Sequence, residues 1–124
     1  MDALKIAGTA DTPLISFDPA TGLFELSGRS YPEDTKEFYS RVLEWMHRYS
    51  ENPGNETNFT FKLQYFNSSS YKPIFDILHK LVAVKKKGQK VNITWHYKTG
   101  DRDMHEAGEE FSELSELPFT FQTY

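Results

Sequence analysis

The stretch "LQYFNSSSYKPIFDIL", Leu63 to Leu78, joins a segment with strand periodicity to one with helical periodicity. Around its first half, apolar side chains alternate with polar ones, as in a half-buried strand: Phe59, Phe61, Leu63 and Tyr65 against Thr60, Lys62 and Gln64. From its second half onward, apolar side chains recur at helical spacing: Ile74, Ile77, Leu78, Leu81 and Val82. Three consecutive serines separate the two patterns. The stretch therefore predicts a strand, a short loop and a helix, in that order.

The rest of the chain alternates in the same way between strand and helix patterns. Leu14 to Phe17 and Leu23 to Ser27 flank "DPATG", whose proline and glycine suit a tight turn, so they predict a hairpin. A short strand at Leu4 to Ala7 precedes it. Four further elements are predicted. Two are helices, the first with Phe38, Val42, Trp45 and Tyr49 on its buried side and the second with Met104, Ala107, Phe111 and Leu114. Two are strands, one with Val91, Ile93, Trp95 and Tyr97 buried and a last one in "LPFTFQ".

Capping residues indicate where the helices begin and end. Asp34 can accept a hydrogen bond from the first turn of its helix while Glu37 reaches back, and Asp103 opens the last helix in the same way. Pro73 limits the middle helix, because proline lacks an N–H and is tolerated mainly in the first turn. We therefore expect Ser70 to be the N-cap of that helix. Its end is expected at "KKKG", since lysines and a following glycine are ordinary C-terminal residues.

The order of the elements predicts the fold class. Strands separated by helices call for parallel pairing with right-handed crossovers, and the initial hairpin makes the sheet mixed. Strands buried on both faces usually read as continuous apolar runs, whereas these alternate. We therefore expect a single α/β domain over residues 1–124 with helices mainly on one face. This pattern, together with the lack of a glycine-rich phosphate loop, excludes an ordinary doubly wound nucleotide-binding sheet.

The composition narrows the class of partner. The chain has 124 residues and a net charge of −4, so it offers no basic footprint for nucleic acid. It has no cysteine, which excludes a disulfide scaffold, a thiolate nucleophile and a cysteine-ligated zinc. The N-terminus lacks signal-peptide features, and no apolar run approaches the roughly 20 residues of a membrane span. We expect a cytoplasmic protein with no nucleic-acid or membrane partner.

The three serines lie at the carboxyl end of a predicted strand, where open α/β sheets usually place functional groups. As the expected N-cap, Ser70 has a structural role. Ser68 and Ser69 have two interpretations. They can be turn residues, since serine is common in turns for local hydrogen-bonding reasons. Alternatively one of them is a phosphoacceptor, because a phosphoryl group at a helix N-terminus meets unpaired N–H groups and the positive end of the helix dipole.

Catalysis and metal binding have less support in the sequence. A serine hydrolase needs a base beside its nucleophile, and there is no Gly-x-Ser-x-Gly elbow. In "DRDMHEAGEE", Glu109 stands where a zinc-binding helix has its second histidine, and the glycine of a calcium loop is missing. We therefore expect no catalytic residue, no cofactor and no metal. The alternative is a small enzyme or small-ligand binder that uses the Ser68–Ser70 loop.

The neighbours of the serines indicate a docking surface. Phe66 and Tyr71 bracket the serines and do not fit the buried pattern. We expect them to be apolar anchors for a partner, since aromatic residues often dominate the energetics of interfaces. The expected partner-binding residues are Phe66, Asn67, Ser69, Ser70, Tyr71 and Lys72.

Several blocks of sequence, in one order, resemble a known family. "YFNSSS" followed by "DIL", and also "GRSYPED", "FYSRVLEWM", "WHYKTGDRDMHEAGEEF" and "LPFTFQ", resemble the conserved stretches of the SiaC-type regulatory phosphoproteins over nearly the whole chain. More distantly, "FNSSS" before an amphipathic helix is similar to the Asp-Ser-Ser-Gly stretch of STAS-domain anti-anti-sigma factors, which carry a phosphoserine there. Both resemblances place the acceptor hydroxyl at Ser68.

The resemblance implies a STAS-like fold and a partner-switching role without catalysis. In the family, a kinase of the histidine-kinase ATPase type phosphorylates the hydroxyl and a PP2C-like phosphatase removes the phosphoryl group. The unmodified form binds and activates a diguanylate cyclase, so phosphorylation of Ser68 is expected to release the cyclase. Two positions depart from these patterns. The SiaC-type proteins often have threonine at the position of Ser68, which keeps a hydroxyl, and STAS proteins have aspartate at the position of Asn67, so a charge is lost here.

Overall fold

A computed structural model describes residues 1–124 and contains six strands and three helices. The amino-terminal part supplies three strands before the first helix. The elements are β1 (Leu4–Ile6), β2 (Leu14–Asp18), β3 (Leu23–Ser30), α1 (Thr35–Glu51), β4 (Glu56–Phe66), α2 (Ser68–Lys86), β5 (Lys90–Tyr97), α3 (Arg102–Ser115) and β6 (Phe119–Thr123). Every predicted strand and helix is present. None of the three helices combines the length and the apolar character needed to span a bilayer.

The six strands form one sheet in the order in which they occur along the chain. β1, β2 and β3 pair in antiparallel fashion, and β3 to β6 pair in parallel. Each parallel neighbour is reached through one helix, and right-handed crossovers between strands in sequence order place all three helices on the same face. The predicted mixed sheet, with an N-terminal hairpin and helices mainly on one face, is confirmed.

The core lies between the helices and the covered face of the sheet. The inward side chains of neighbouring strands are in register, as in the pair Phe24 and Phe59 and the pair Phe61 and Trp95. Aromatic rings fill much of this layer, with the rings of Phe17 and Phe59 centred 5.3 Å apart. The polar residues between them point to the other face, which no helix covers. We call that side the open face.

A β-bulge in β4 changes which side chains reach the core. Gly28 pairs with Leu63 but Arg29 pairs with Tyr65, so Gln64 is an extra residue in β4. An extra residue reverses the alternation beyond it. Tyr65 is therefore 45% exposed on the open face, and its predicted place on the buried side was wrong. Phe66 turns inward instead, with its ring centred 6.0 Å from that of Phe111.

Two of the three predicted helix starts are corrected by the structure. Asp34 caps α1 as expected, since its carboxylate accepts from the backbone N–H of Glu37 at 3.0 Å. The N-cap of α2 is Asn67 rather than Ser70, and the N-cap of α3 is Asp101 rather than Asp103. In both helices, a side chain nearer the amino terminus than the predicted cap accepts a hydrogen bond from a first-turn N–H.

The corrected start places Pro73 inside α2, at its sixth residue. The N–H that proline lacks would have bonded the carbonyl of Ser69, four residues earlier. The loss is confined to the beginning of the helix, so α2 continues through Pro73 to Lys86.

The buried side of two helices differs slightly from the prediction. In α1, Tyr39 is buried and Phe38 is only half-buried. In α3, Leu114 is 54% exposed, whereas Gly108 is buried against the indole of Trp95. A Cβ on Gly108 would lie 2.5 Å from the ring, so this glycine allows α3 to approach the sheet closely.

Candidate functional site

The first turns of α1 and α2 lie side by side at one edge of the sheet. β3 and β4 are adjacent parallel strands, and their last residues, Ser30 and Phe66, are register partners. The helices that follow both strands therefore begin at the same edge. The hydroxyls of Thr35 in α1 and Ser69 in α2 are 2.7 Å apart. The positive ends of two helix dipoles thus meet at residues 66–72, which we call the serine junction.

The three serines of the junction occupy three different environments. Ser70 is fully buried, and the single proton of its hydroxyl has two acceptors within reach, the side-chain oxygen of Asn67 at 2.8 Å and the carbonyl of Ser30 at 3.1 Å. It also lies 2.9 Å from the hydroxyl of Ser30, which in turn lies 2.6 Å from that of Tyr39. Ser70 therefore connects the start of α2 to β3 and α1. Because it is buried it is not open to a partner, contrary to the expectation from the sequence.

Ser69 and Ser68 both face solvent, but only Ser69 is held in place. The Ser69 hydroxyl bonds to Thr35 and donates to the side-chain oxygen of Asn67 at 2.9 Å. Ser68 is the first residue of α2 and its hydroxyl has no hydrogen-bond partner in the protein. Its backbone N–H, like that of Ser69, has no carbonyl four residues earlier within the helix. Ser68 thus presents a free hydroxyl beside unpaired amides.

The first turn of α2 carries no negative charge. It contains no acidic residue, and its cap Asn67 is neutral. In α1, by contrast, Asp34 and Glu37 place carboxylates at the corresponding end. Lys72 lies one turn beyond Ser68 on the same side of α2 and pairs with Asp76 at 3.1 Å. The start of α2 is therefore an uncompensated positive helix end, which favours an added anionic group.

Phe66 and Tyr71 support the junction from the side of α3. The ring of Tyr71 stacks on Phe111 with centroids 4.6 Å apart, and its hydroxyl donates to the carboxylate of Glu110 at 2.8 Å. Partial burial, and then this hydrogen bond and the charge of Glu110, raise the pKa of Tyr71. Both predicted anchors are half-buried against α3, so only part of each ring is open to a partner.

A groove between α1 and α2 opens beside Ser69. It has a volume of about 470 Å³, and Leu43 and Pro73 form part of its wall. Lys36 and Lys72 also line it. Sequence reasoning missed the contribution of α1 to the site, because only the pairing of β3 with β4 brings Thr35 and Tyr39 to the serines. Adjacent parallel strands, once predicted, were the one signal that could have found them.

The Asp and His side chains of "DRDMHEAGEE" have structural roles. Asp101 caps α3, with its carboxylate accepting from the N–H of Met104 at 3.0 Å. The imidazole of His105 stacks on Tyr97 with centroids 4.6 Å apart. No group of three or more His, Asp or Glu side chains is arranged to hold a metal ion.

Comparison with known proteins identifies one family for this chain. The model of the SiaC family, described as a family of regulatory phosphoproteins, matches residues 6–124. An uncharacterised protein of Pseudomonas aeruginosa is 34% identical over 124 residues, which are 100% of this chain and 98% of that protein.

The solved structures most useful for comparison are those of SiaC from Pseudomonas aeruginosa. The apo form superposes with a TM-score of 0.87 at 35% identity, covering 98% of this chain and 99% of that one. SiaC bound to the diguanylate cyclase SiaD, which it activates, superposes with a TM-score of 0.89 at 34% identity and the same coverage. The likeness therefore extends over the whole sheet and all three helices.

We expect alanine substitutions of the three serines to affect stability very differently. Ser70→Ala removes a buried hydroxyl together with its hydrogen bonds to Ser30 and Asn67, so it should lower the free energy of unfolding by about 1–3 kcal/mol. Ser69→Ala loses only exposed hydrogen bonds and should cost at most about 1 kcal/mol. Ser68→Ala should change stability by less than about 0.5 kcal/mol. Urea unfolding of the three variants measures this order, and equal losses would contradict it.

Tyr39 should make the protein less stable at alkaline pH. Burial raises the pKa of Tyr39 to about 12, although hydrogen bonds to serines oppose the rise. Since an unfolded tyrosine has a pKa of about 10, the unfolded state loses its proton first as the pH increases, and stability falls between these values. Wild type should lose about 1–2 kcal/mol more than Tyr39→Phe between about pH 9 and pH 11. Urea unfolding at these pH values tests this, and parallel declines would contradict it.

Proposed function

The chain belongs to the SiaC family of regulatory phosphoproteins, and from that membership we propose that it is a partner-switching protein whose phosphoacceptor is Ser68. The predicted family is thereby confirmed, and so is the prediction of a regulatory protein rather than an enzyme. In the proposed cycle, the unmodified form binds and activates a diguanylate cyclase. A kinase of the histidine-kinase ATPase type adds the phosphoryl group and a PP2C-like phosphatase removes it.

The observation that carries the choice of acceptor is the exposure of Ser68 at the first position of α2. A kinase needs a hydroxyl that it can reach, and Ser70 is fully buried whereas Ser69 is bonded to Thr35 and Asn67. The unpaired amides of the first turn and the positive end of the dipole can then stabilise the phosphoryl group. Phosphorylation at Ser68 breaks none of the hydrogen bonds that hold the junction together, so the fold is preserved.

The proposed cyclase partner is supported by the solved complex of SiaC with SiaD, because this chain shares the fold of that SiaC over 98% of its length. The surface proposed to contact the cyclase comprises the exposed parts of the junction, namely Ser68, Ser69 and Lys72 with the open parts of Phe66, Asn67 and Tyr71. These side chains carry one positive charge and no negative charge. A phosphoryl group adds about −1.5 to −2 charges there, together with bound water. A loss of a few kcal/mol in binding is enough to reverse the choice of partner.

Phosphate transfer should depend on one of the three serines. After incubation with its kinase and ATP, the wild-type protein should gain a single phosphoryl group by intact-mass analysis. Ser69→Ala should gain it as well, whereas Ser68→Ala should gain none because its acceptor oxygen is missing. Undiminished phosphorylation of Ser68→Ala would assign the acceptor to another residue and overturn the proposal for Ser68.

Charge at position 68 should decide cyclase binding. Ser68→Asp places a carboxylate at the junction and should weaken binding to the cyclase by at least about ten-fold, which corresponds to about 1.4 kcal/mol. Ser68→Asn is the matched control, because it has nearly the same shape without the charge and should bind as wild type does. Titration calorimetry measures both affinities. Equal weakening by the two substitutions would mean that size rather than charge is responsible.

A further inference from the structure

Basic and aromatic side chains are concentrated on the open face beside the serine junction. Arg29 of β3 is the register partner of Tyr65 of β4. Lys98 follows β5 directly, and the chain end at Tyr124 lies beside it, with the N–H of Thr99 donating to the carbonyl of Tyr124 at 2.9 Å. Arg29, Lys98 and Tyr124 line one groove of about 370 Å³. The open-face patch, as we define it, consists of Arg29, Tyr31, Lys62, Tyr65, Lys98 and Tyr124.

The cations of the open-face patch form no close ion pair with a carboxylate. The protein has three ion pairs within 4.0 Å, and none of them includes Arg29, Lys62 or Lys98. Asp101 is the one acidic side chain that lines the same groove, and its carboxylate also accepts the N–H of Met104 as the cap of α3. The chain as a whole has a net charge of −4. The cations of the patch therefore outnumber the acidic side chain of its groove, which makes this face locally positive on an acidic protein.

Aromatic rings hold two of these cations, Arg29 and Lys62, in place instead. The guanidinium carbon of Arg29 lies 5.5 Å from the ring centre of Tyr31 and 5.8 Å from that of Tyr65. The ammonium of Lys62 lies 4.7 Å from the ring centre of Tyr124. Cation–π contacts fix the positions of the charges without cancelling them. The three charges therefore remain available to an anionic partner.

The layout of the open-face patch fits a protein segment better than a small anion. The charges are carried by β3, by β4 and by the end of β5, so they spread over about 10 Å of sheet rather than converging on one point. Exposed tyrosine and arginine side chains are also the residues that most often dominate protein–protein binding. Tyr31, Tyr65 and Tyr124 are 36%, 45% and 42% exposed.

We propose that the open-face patch binds an acidic segment of the diguanylate cyclase that the serine junction contacts. This inference rests on the proposed function and adds the chemistry of the partner. Tyr65 and Ser68 are three residues apart, so their Cα atoms lie within about 11 Å. An acidic segment on the patch thus passes close to Ser68. A phosphoryl group at Ser68 repels the same carboxylates that the patch attracts, which gives a direct physical reason for release.

The test uses the full-length protein and the full-length cyclase, and measures association rates by stopped-flow fluorescence. Arg29→Glu with Lys98→Glu should slow association by at least about ten-fold at about 50 mM NaCl, and by much less at about 300 mM, because salt screens charge steering. The matched control is Lys86→Glu with Lys90→Glu, which changes the net charge equally at the other edge of the sheet. It should stay within about two-fold of wild type. Circular dichroism and thermal melting verify that both variants fold.

Each other outcome overturns the proposal in a recognisable way. Equal slowing by both double variants would mean that net charge alone matters, and no slowing by either would mean that the patch is unused. In both cases the wild-type protein still binds the cyclase, so the proposed function stands. Absence of any binding by the wild type would overturn both proposals together.

Two other occupants of the patch would each give a distinct experimental result. Chemical-shift changes at Arg29 and Tyr65 on adding millimolar inorganic phosphate or cyclic di-GMP would assign the patch to a small anion. A dimer in low salt by sedimentation velocity, lost in the Arg29→Glu, Lys98→Glu variant, would assign it to a second copy of the chain. Either result would overturn the proposed acidic segment.

Discussion

A buried cluster of three hydroxyls, from Ser30, Tyr39 and Ser70, fixes the position of the serine junction. Each residue comes from a different element, and the cluster leaves no buried polar side-chain atom without a partner. Inside a protein such a cluster is stabilising only when all its members are satisfied, because an unpaired buried hydroxyl costs more than a bond gains. The first turns of α1 and α2 are therefore held in one geometry. This geometry positions the exposed hydroxyl of Ser68, which does not itself contribute to it.

This division of roles among neighbouring serines explains how a regulatory site can be modified without unfolding. Ser70 belongs to the core and Ser69 links two helices, so changes at either alter the framework. Ser68 has neither role. A charged group there changes the surface potential of the helix start, where an anion is stabilised, while the packing beneath stays the same. Regulation and stability are thus assigned to different hydroxyls within one turn of helix.

The sequence predicted the elements, the sheet and the position of the serines because periodicity is a local property of the chain. It failed where several adjacent residues could perform the same role. Asn67 and Ser70 are both good caps, and the choice between them depends on the bond of Ser70 to Ser30, a contact 40 positions away in the chain. The bulge at Gln64 depends on pairing with β3 and has no pattern of its own. Contacts between distant elements decided each of these points.

Because of its bulge, β4 ends with one aromatic side chain on each face of the sheet. Up to Leu63 its apolar side chains belong to the interior, and after Gln64 the phase is reversed, so that Tyr65 faces outward while Phe66 packs inward. A regular strand would have buried Tyr65 and left Phe66 outside, and Phe111 of α3 would have lost its contact with Phe66. One extra residue in β4 thus lets the side chains on the open face vary independently of those in the core. The two can diverge separately during evolution, which allows binding preferences to change while the scaffold stays constant.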